Sequence, residues 1–303
     1  MTGAQMAARA ATQRDVFPRA SRGSRWADLG FRAAMFFAVF VGFLALAAIL
    51  FDTVNDGAGR LSIEFITNFP SKVVPESSGI QSALVGTLYL MFLTAFMVVP
   101  LGVATAIYLE EYADRDKWYN RLIEVNIQNL AAVPSVVYGI LGLAFIVRGP
   151  LGLGRVLLAG AITLGLLVLP VVIIVSREAI RAVPPSVREG SLALGATQWQ
   201  TIWKQVLPGS IGGIATGVIL ALSRAIGETA PLLLVGAAAS PRFNPSGLLE
   251  PFTALPIQIF VWTQDSDRSF VAAAAGAILV LMVILLLMNS VAIFLRNRYE
   301  QKW

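Results

Sequence analysis

Residues 184–236 read PPSVREGSLALGATQWQTIWKQVLPGSIGGIATGVILALSRAIGETAPLLLVG and fall into two parts of opposite character. The first part ends at Leu207-Pro208, is polar or amphipathic, and carries two tryptophans. The second part is an apolar run interrupted only by Ser223-Arg224 and Glu228-Thr229. Because roughly 20 apolar residues cross a bilayer as a helix, this order predicts an aqueous segment followed directly by a charged membrane helix.

The whole chain has the composition of a membrane protein. Of its 303 residues, 56% are hydrophobic and only 14% are charged, whereas soluble domains carry about 25% charged residues. The sequence therefore predicts an all-α integral membrane protein with six transmembrane helices. These six apolar stretches are about Ala33–Phe51, Ile80–Leu109, Ile127–Val147, Val156–Val175, Gly209–Gly236 and Phe270–Leu295.

Several kinds of chemistry are excluded by what the sequence lacks. Without cysteine there is no disulfide or thiolate metal site, and without histidine the commonest general base and metal ligand is missing. The phosphate-cradling pattern G-x-x-x-x-G-K-[ST] is also absent, so this chain is not expected to hydrolyse ATP. We predict no catalytic residue, no metal site and no cofactor in this chain.

The distribution of basic residues predicts how the chain crosses the membrane. If the N-terminus is inside, the inner segments carry 16 of the 23 Lys and Arg residues and the outer segments carry six. The positive-inside rule then places both termini in the cytoplasm. The predicted segments are an Arg-rich tail (1–32), a first transmembrane helix with an external loop (33–79), a transmembrane core (80–296) with a cytoplasmic loop (176–208), and a C-terminal tail (297–303).

Four predicted spans contain an internal proline. Each proline lacks an N–H and frees a carbonyl four residues earlier, which in lipid requires a new partner. We therefore predict helix kinks whose freed carbonyls face other helices or a wet cavity. The four residues are Pro100, Pro134, Pro170 and Pro231.

The cytoplasmic segment predicts short helices. Pro184-Pro185 ends the preceding helix and Ser186 caps a new one. Gly195 predicts a bend. Two interpretations remain open for this pattern: an amphipathic helix on the membrane surface, or a helix held in a groove of a soluble partner. The residues predicted to share one helical face are Leu192, Ala196, Trp199, Trp203 and Val206.

The same segment resembles the Glu-Ala-Ala motif of permease subunits in binding-protein-dependent ABC importers. Glu189-Gly190-Ser191, Gly195 and Leu207-Pro208 stand at the motif's spacing, with Gly190 and Ser191 in place of two alanines and Gln205 where isoleucine is usual. The resemblance implies a loop that couples to a separate ATPase, which binds ATP and magnesium. The implied coupling residues are Glu189, Gly190, Ser191, Gly195, Trp199, Leu207 and Pro208.

Arg224 and Glu228 form an opposite-charge pair within the fifth predicted span. Residues four apart share a helical face, and a charge at the bilayer centre costs roughly 2.5–3.5 kcal/mol on insertion scales. In one interpretation the pair fixes helix packing. In the other, Arg224 presents its charge to an anion in a wet path, beside Ser223 and Thr229, and Glu228 holds it between transport events.

Residues Leu222–Leu233 are similar to permease subunits of phosphate ABC importers, as are Val133–Gly139 and Arg188–Leu207. The similarity extends from about Leu61 to Leu295. It implies a type I importer permease fold in the bacterial cytoplasmic (inner) membrane. It also implies three partners, namely a second permease subunit, an ATPase dimer and an external phosphate-binding protein, and a need for Arg224 and Glu228 in phosphate movement.

Other functions remain open at this stage. A permease for sulfate, molybdate or phosphonate would share these features. An autonomous secondary transporter would need ion-coupling groups within its spans, and only Arg224 and Glu228 qualify. A regulatory membrane subunit is a third alternative.

Overall fold

The computed structural model describes residues 22–71, 74–114, 116–237 and 241–299, and over these ranges the chain is helical without any strand. Three π-helical turns extend helices, at Tyr108–Tyr112, Gly142–Val147 and Ile202–Val206. The helices are α1 (Arg22–Gly57), α2 (Ile63–Thr67), α3 (Gln81–Ile107), α4 (Trp118–Ala131), α5 (Ser135–Leu141), α6 (Leu157–Arg181), α7 (Pro185–Ala193), α8 (Gln198–Thr201), α9 (Leu207–Ile226), α10 (Ala230–Val235), α11 (Leu255–Thr263) and α12 (Arg268–Tyr299).

Five helices in this part of the chain are long and apolar enough to cross a membrane. A sixth crossing is formed if the bent pair Trp118–Ala131 and Ser135–Val147 counts as one span. The five are Trp26–Arg60, Gln81–Tyr112, Leu157–Arg181, Gln198–Ile226 and Arg268–Arg298. With the bent pair counted as one span, the described part of the chain has the six spans that the sequence predicted. Helix α1 begins at Arg22, within the predicted N-terminal tail. Residues 1–21 and 300–303 lie outside the described ranges.

The chain divides into two units, Met1–Asp52 and Thr53–Trp303. In the first unit, every residue from Trp26 to Ile49 is exposed, and most are apolar. A helix that is apolar and exposed on all sides needs lipid or another protein chain around it.

The core of the second unit is built around α6, which packs on α3 and α9. Small residues allow these helices to approach closely, as is usual within membranes. A Cβ added at Gly102 of α3 would lie 2.6 Å from Cγ1 of Val172, and one at Gly217 of α9 would lie 2.8 Å from Cβ of Val175. Helices α3, α6 and α9 are therefore closely packed, and they fix the position of the residues of α6.

The predicted third span is wrong as a single helix. It breaks between Ala131 and Ser135, and the two parts meet at an angle of 103°. Pro134 lies at the break, where its missing N–H interrupts the helical hydrogen bonds. The hydroxyl of Tyr138 donates to the carbonyl of Leu130 at 2.8 Å, so the carbonyl freed by Pro134 has gained the new partner that its environment requires.

The fifth predicted span, Gly209–Gly236, is also wrong as a continuous helix. Helix α9 ends at Ile226, and α10 begins at Ala230 with Pro231 in its first turn. Proline at that position is preorganised for a helix start and sacrifices no helical hydrogen bond. Pro231 therefore starts a helix instead of kinking one. Pro100 and Pro170 lie inside continuous helices, as predicted.

Candidate functional site

The two helix breaks lie against each other. An added Cβ at Gly139 of α5 would stand 2.7 Å from Cα of Pro231 in α10. Only glycine permits this approach, because any side chain would collide with the α10 backbone. The structure thus brings together two sequence motifs, Val133–Gly139 and Gly227–Pro231, that are about 90 residues apart along the chain.

A small cleft opens at these breaks, next to the middle of α6. Among the described residues that line it, Arg224 and Glu228 are the charged ones, and the others are apolar. The lining residues are Ala131, Val133, Leu167, Val168, Val171, Ala221, Arg224, Ala225 and Glu228. Discontinuous helices around a polar group within the membrane are the arrangement that many transporters use to hold a substrate.

Arg224 and Glu228 are close to each other but are not hydrogen-bonded. Nε of Arg224 lies 3.8 Å from Oε1 of Glu228, which is too far for a hydrogen bond. The Arg224 side chain is 72% exposed, whereas that of Glu228 is 17% exposed. Since α9 ends at Ile226, Glu228 lies beyond the helix, and the prediction that both share one helical face is wrong.

Exposure of Arg224 within a span limits what can surround it. A guanidinium keeps its proton in proteins, and contact with lipid at the bilayer centre costs roughly 2.5–3.5 kcal/mol. The structure places Arg224 in the last turn of α9, at the end of the span Gln198–Ile226, so its face must meet water, lipid headgroups, a polar ligand or another subunit.

The two hydroxyls beside the pair have partners within the chain. The hydroxyl of Ser223 donates to Oδ1 of Asn289 in α12 at 3.1 Å. That of Thr229 donates to the carbonyl of Gly227 at 3.4 Å. Asn289 was missed by sequence reasoning, although it is the only amide side chain in the predicted span Phe270–Leu295.

The cytoplasmic segment contains the predicted bend. Gly195 has a φ of +84° and separates α7 from α8, and Thr197 caps α8 in a reciprocal arrangement with Gln200. Two further predictions are wrong. Ser186 does not cap α7, which begins at Pro185 with Pro184 in the cap position. The five residues predicted to share one face do not lie on one helix: Leu192 is in α7, Ala196 between α7 and α8, Trp199 in α8, and Trp203 and Val206 in the π-helical turn Ile202–Val206.

The predicted coupling residues lie mainly at the surface. Glu189 and Gly190 are exposed, a Cβ at Gly190 would meet nothing within 4 Å, and Leu194 next to the bend is 91% exposed.

The hydroxyls of Ser191 and Thr201 lie 2.9 Å apart and join α7 to α8. The exposed rings of Trp199 and Trp203 pack on each other, and Leu207 and Pro208 begin α9. A concave surface here is lined by Ser186, Val187, Gly190, Ser191, Leu194, Ala196, Gln200, Lys204 and Gln205.

Sequence reasoning missed an ion-pair network behind this surface. Three glutamates from the segment 110–126 pair with three arginines of the loop 176–208. The sequence carried a signal, because the segment 110–126 has five acidic and three basic residues, whereas the loop 176–208 has four basic and two acidic residues. The pairs, with the distance between charged atoms, are Arg177–Glu110 (3.5 Å), Arg177–Glu124 (3.0 Å), Arg181–Glu110 (3.0 Å) and Arg188–Glu111 (2.7 Å).

The helical fold and the helices long and apolar enough to cross a membrane are those of a multi-pass membrane protein. Residues 98–302 match the family described as binding-protein-dependent transport system inner membrane component, and the chain belongs to this family. It is therefore a multi-pass permease subunit of an ABC importer.

Particular relatives extend this assignment. The chain is 34% identical over 278 residues to the probable ABC transporter permease protein YqgI of Bacillus subtilis, covering 88% of this chain and 92% of that protein. It is 31% identical over 260 residues to the phosphate transport system permease protein PstA of Yersinia pestis, covering 85% and 86%. A solved bacterial ABC transporter that imports alginate shares the fold, with a TM-score of 0.58, 20% identity, and coverage of 88% of this chain and 97% of the other. The fold is that of a type I ABC importer permease.

Proposed function

We propose that this chain is a PstA-like permease subunit of an ATP-driven importer of inorganic phosphate. The observation that carries the proposal is the exposed guanidinium of Arg224 at the meeting point of two broken spans. A guanidinium offers flat paired donors that match two oxygens of a phosphate group. The relatives include a phosphate transport permease of similar length, which favours phosphate over other oxyanions.

Half of the path belongs to another subunit in this proposal. Arg224 lies on an uncovered face of the chain, and a charge there requires a polar environment. A second, PstC-like permease placed against this face would enclose the cleft. A PstB-like ATPase dimer would bind ATP and magnesium and contact the exposed residues around Leu194, and a PstS-like protein would deliver phosphate from outside the bacterial inner membrane.

Glu228 has a separate role in the proposed cycle. Its carboxylate lies 3.8 Å from Nε of Arg224 and is mostly covered by protein. It neutralises Arg224 in the absence of substrate and would repel an arriving anion. Because the two atoms are not hydrogen-bonded, a phosphate that offers direct hydrogen bonds can displace the carboxylate from Arg224.

The proposal is tested by uptake in vesicles that carry the complete complex. We expect ATP-dependent accumulation of radiolabelled phosphate that competing sulfate, molybdate or phosphonate does not prevent at equal concentration. The control is a complex whose ATPase subunit cannot hydrolyse ATP, and it should not accumulate phosphate.

Sulfate uptake without phosphate uptake would contradict the assignment of phosphate as the substrate. Uptake that survives in the control would indicate a secondary transporter. Uptake that survives Arg224→Gln with altered phosphate signalling would instead indicate a regulatory subunit.

A further inference from the structure

Helix α7, which contains the Glu-Gly-Ser motif, contacts the rest of the chain through a few side chains: Val187 packs on the hydrophobic core, Ser191 bonds Thr201, and Arg188 makes the ion pair described next. None of its residues is buried. Arg188 donates from Nε and Nη2 to the carboxylate of Glu111 at 3.0 and 2.7 Å. It also donates to the carbonyls of Val183 and Ile180 at 2.7 and 2.9 Å. Both short bonds end on the same carboxylate oxygen, Oε1, and Nε also lies 3.4 Å from Oε2, so the contact is a charge-assisted hydrogen bond to a carboxylate that is almost fully covered.

Glu111 belongs to a different span. It lies in the π-helical turn Tyr108–Tyr112, which continues α3, and its side chain is only 9% exposed. Its backbone carbonyl accepts a hydrogen bond from the side-chain amide of Gln198, the first residue of α8. One residue at the end of α3 is therefore bonded to both helices on either side of the Gly195 bend.

The neighbouring residue ties the same turn to α6. Glu110 is 5% exposed and pairs with Arg181 at 3.0 Å and with Arg177 at 3.5 Å. Helix α3 then runs along α6, where Gly102 fits against Val172. The adjacent part of α6 contributes Leu167, Val168 and Val171 to the cleft that contains Arg224. The contacts thus form a continuous route from the cytoplasmic surface to the charged pair.

We propose that the Glu111–Arg188 pair, which we call the clamp, transmits movement of α7 to α3 and α6. The inference rests on the proposed function, in which an ATPase moves α7. Both clamp residues are positioning residues, because neither touches the transported anion. Without the clamp, α7 would remain attached through Ser191–Thr201 and its chain connections, so the ATPase would still bind and cycle. The movement would then reach α9 directly, and α3 only through the bond from Gln198 to the backbone carbonyl of Glu111.

The first test compares the ratio of phosphate imported to ATP hydrolysed in reconstituted complexes. Glu111→Gln and Arg188→Gln are each expected to lower this ratio by about tenfold, within the range that mutations along a coupling route produce, while ATP hydrolysis stays within about twofold. The matched control is Glu178→Gln, whose carboxylate is 65% exposed and lies 3.5 Å from the guanidinium of Arg181. It should leave the ratio unchanged.

A second measurement separates transmission from mere support of the fold. The natural chain has no cysteine, so Glu111→Cys and Arg188→Cys can be combined and joined by a short bis-methanethiosulfonate reagent. The linked double variant should recover the ratio, and dithiothreitol should abolish that recovery. Each single cysteine variant treated with the same reagent should remain low.

Two outcomes would overturn the clamp. One is an unchanged ratio in both glutamine variants. The other is a low ratio that relinking does not restore, accompanied by poor recovery of the assembled complex, which would indicate a structural role only. A wild-type complex that imports a different oxyanion would contradict the proposed substrate but not the clamp, since the ratio is then measured with that oxyanion.

Discussion

Arg224→Gln is expected to abolish phosphate uptake while the complex still assembles and hydrolyses ATP. Glutamine retains polarity and part of the length of arginine but removes the charge and the paired donors. Charge-assisted hydrogen bonds contribute about 1.5–3 kcal/mol, so we expect uptake to fall by about 100-fold. Assembly should survive because the Arg224 side chain is largely exposed and its pairing with Glu228 is loose. Radiolabelled phosphate uptake and ATP hydrolysis are measured on the same preparation.

Arg224→Lys is the matched control for this substitution. It keeps the charge but loses the flat pair of donors, so uptake should be intermediate between wild type and the glutamine variant. Wild-type uptake in Arg224→Gln would contradict the anion-path role. If the complex instead failed to assemble, the alternative in which the pair fixes helix packing would be supported.

Gly195→Val is expected to uncouple ATP hydrolysis from import. Gly195 has a φ of +84°, where a β-branched residue is a genuine outlier and the left-handed region costs about 1–2 kcal/mol. The bend between α7 and α8 would change, and with it the position of Leu194, which is the most exposed large apolar residue of this segment. We expect phosphate imported per ATP to fall about tenfold.

Gly195→Asn separates backbone conformation from bulk. Asparagine tolerates positive φ better than other residues with side chains, and a Cβ at position 195 would meet nothing within 4 Å in this chain. The asparagine variant should therefore keep most of its coupling. A valine variant that co-purifies with the ATPase and transports normally would show that the coupling assignment is wrong.

The membrane spans could largely be predicted from the sequence because length and apolarity are local properties. The sequence predicted a distortion at each of four prolines, but it did not predict which of them would interrupt a helix. Pro100 and Pro170 remain inside helices, whereas Pro134 and Pro231 lie at interruptions. Gly139, which follows the first break, packs on Pro231 at the second, and this contact between two spans is not visible in the sequence of either span alone. Hydropathy shows that a segment is apolar, but it does not show whether that segment forms one continuous helix or two shorter ones.

The candidate site shows the same division. Arg224 and Gly195 could be identified from sequence because a lone charge in an apolar span and a glycine between short helices are visible locally. The clamp could not, because Glu111 and Arg188 are 77 residues apart and their pairing depends on how α3 and α7 meet. The opposite net charges of the segments 110–126 and 176–208 are visible in the sequence, but they do not specify which residues pair. Asn289 was visible as a polar residue in an apolar span, but its bond to Ser223 depends on helix packing.

The central claim is that a positive charge at position 224 faces a wet path for an anion, and chemical rescue tests it most directly. Arg224→Cys is made in this cysteine-free chain, assembled with cysteine-free partners, and treated with aminoethyl methanethiosulfonate, which attaches a short side chain ending in an ammonium group. The cationic adduct is predicted to restore a substantial part of phosphate uptake, whereas the neutral adduct from methyl methanethiosulfonate should not. Complete modification without any recovery of uptake, or a cysteine that no water-soluble reagent reaches, would contradict the account.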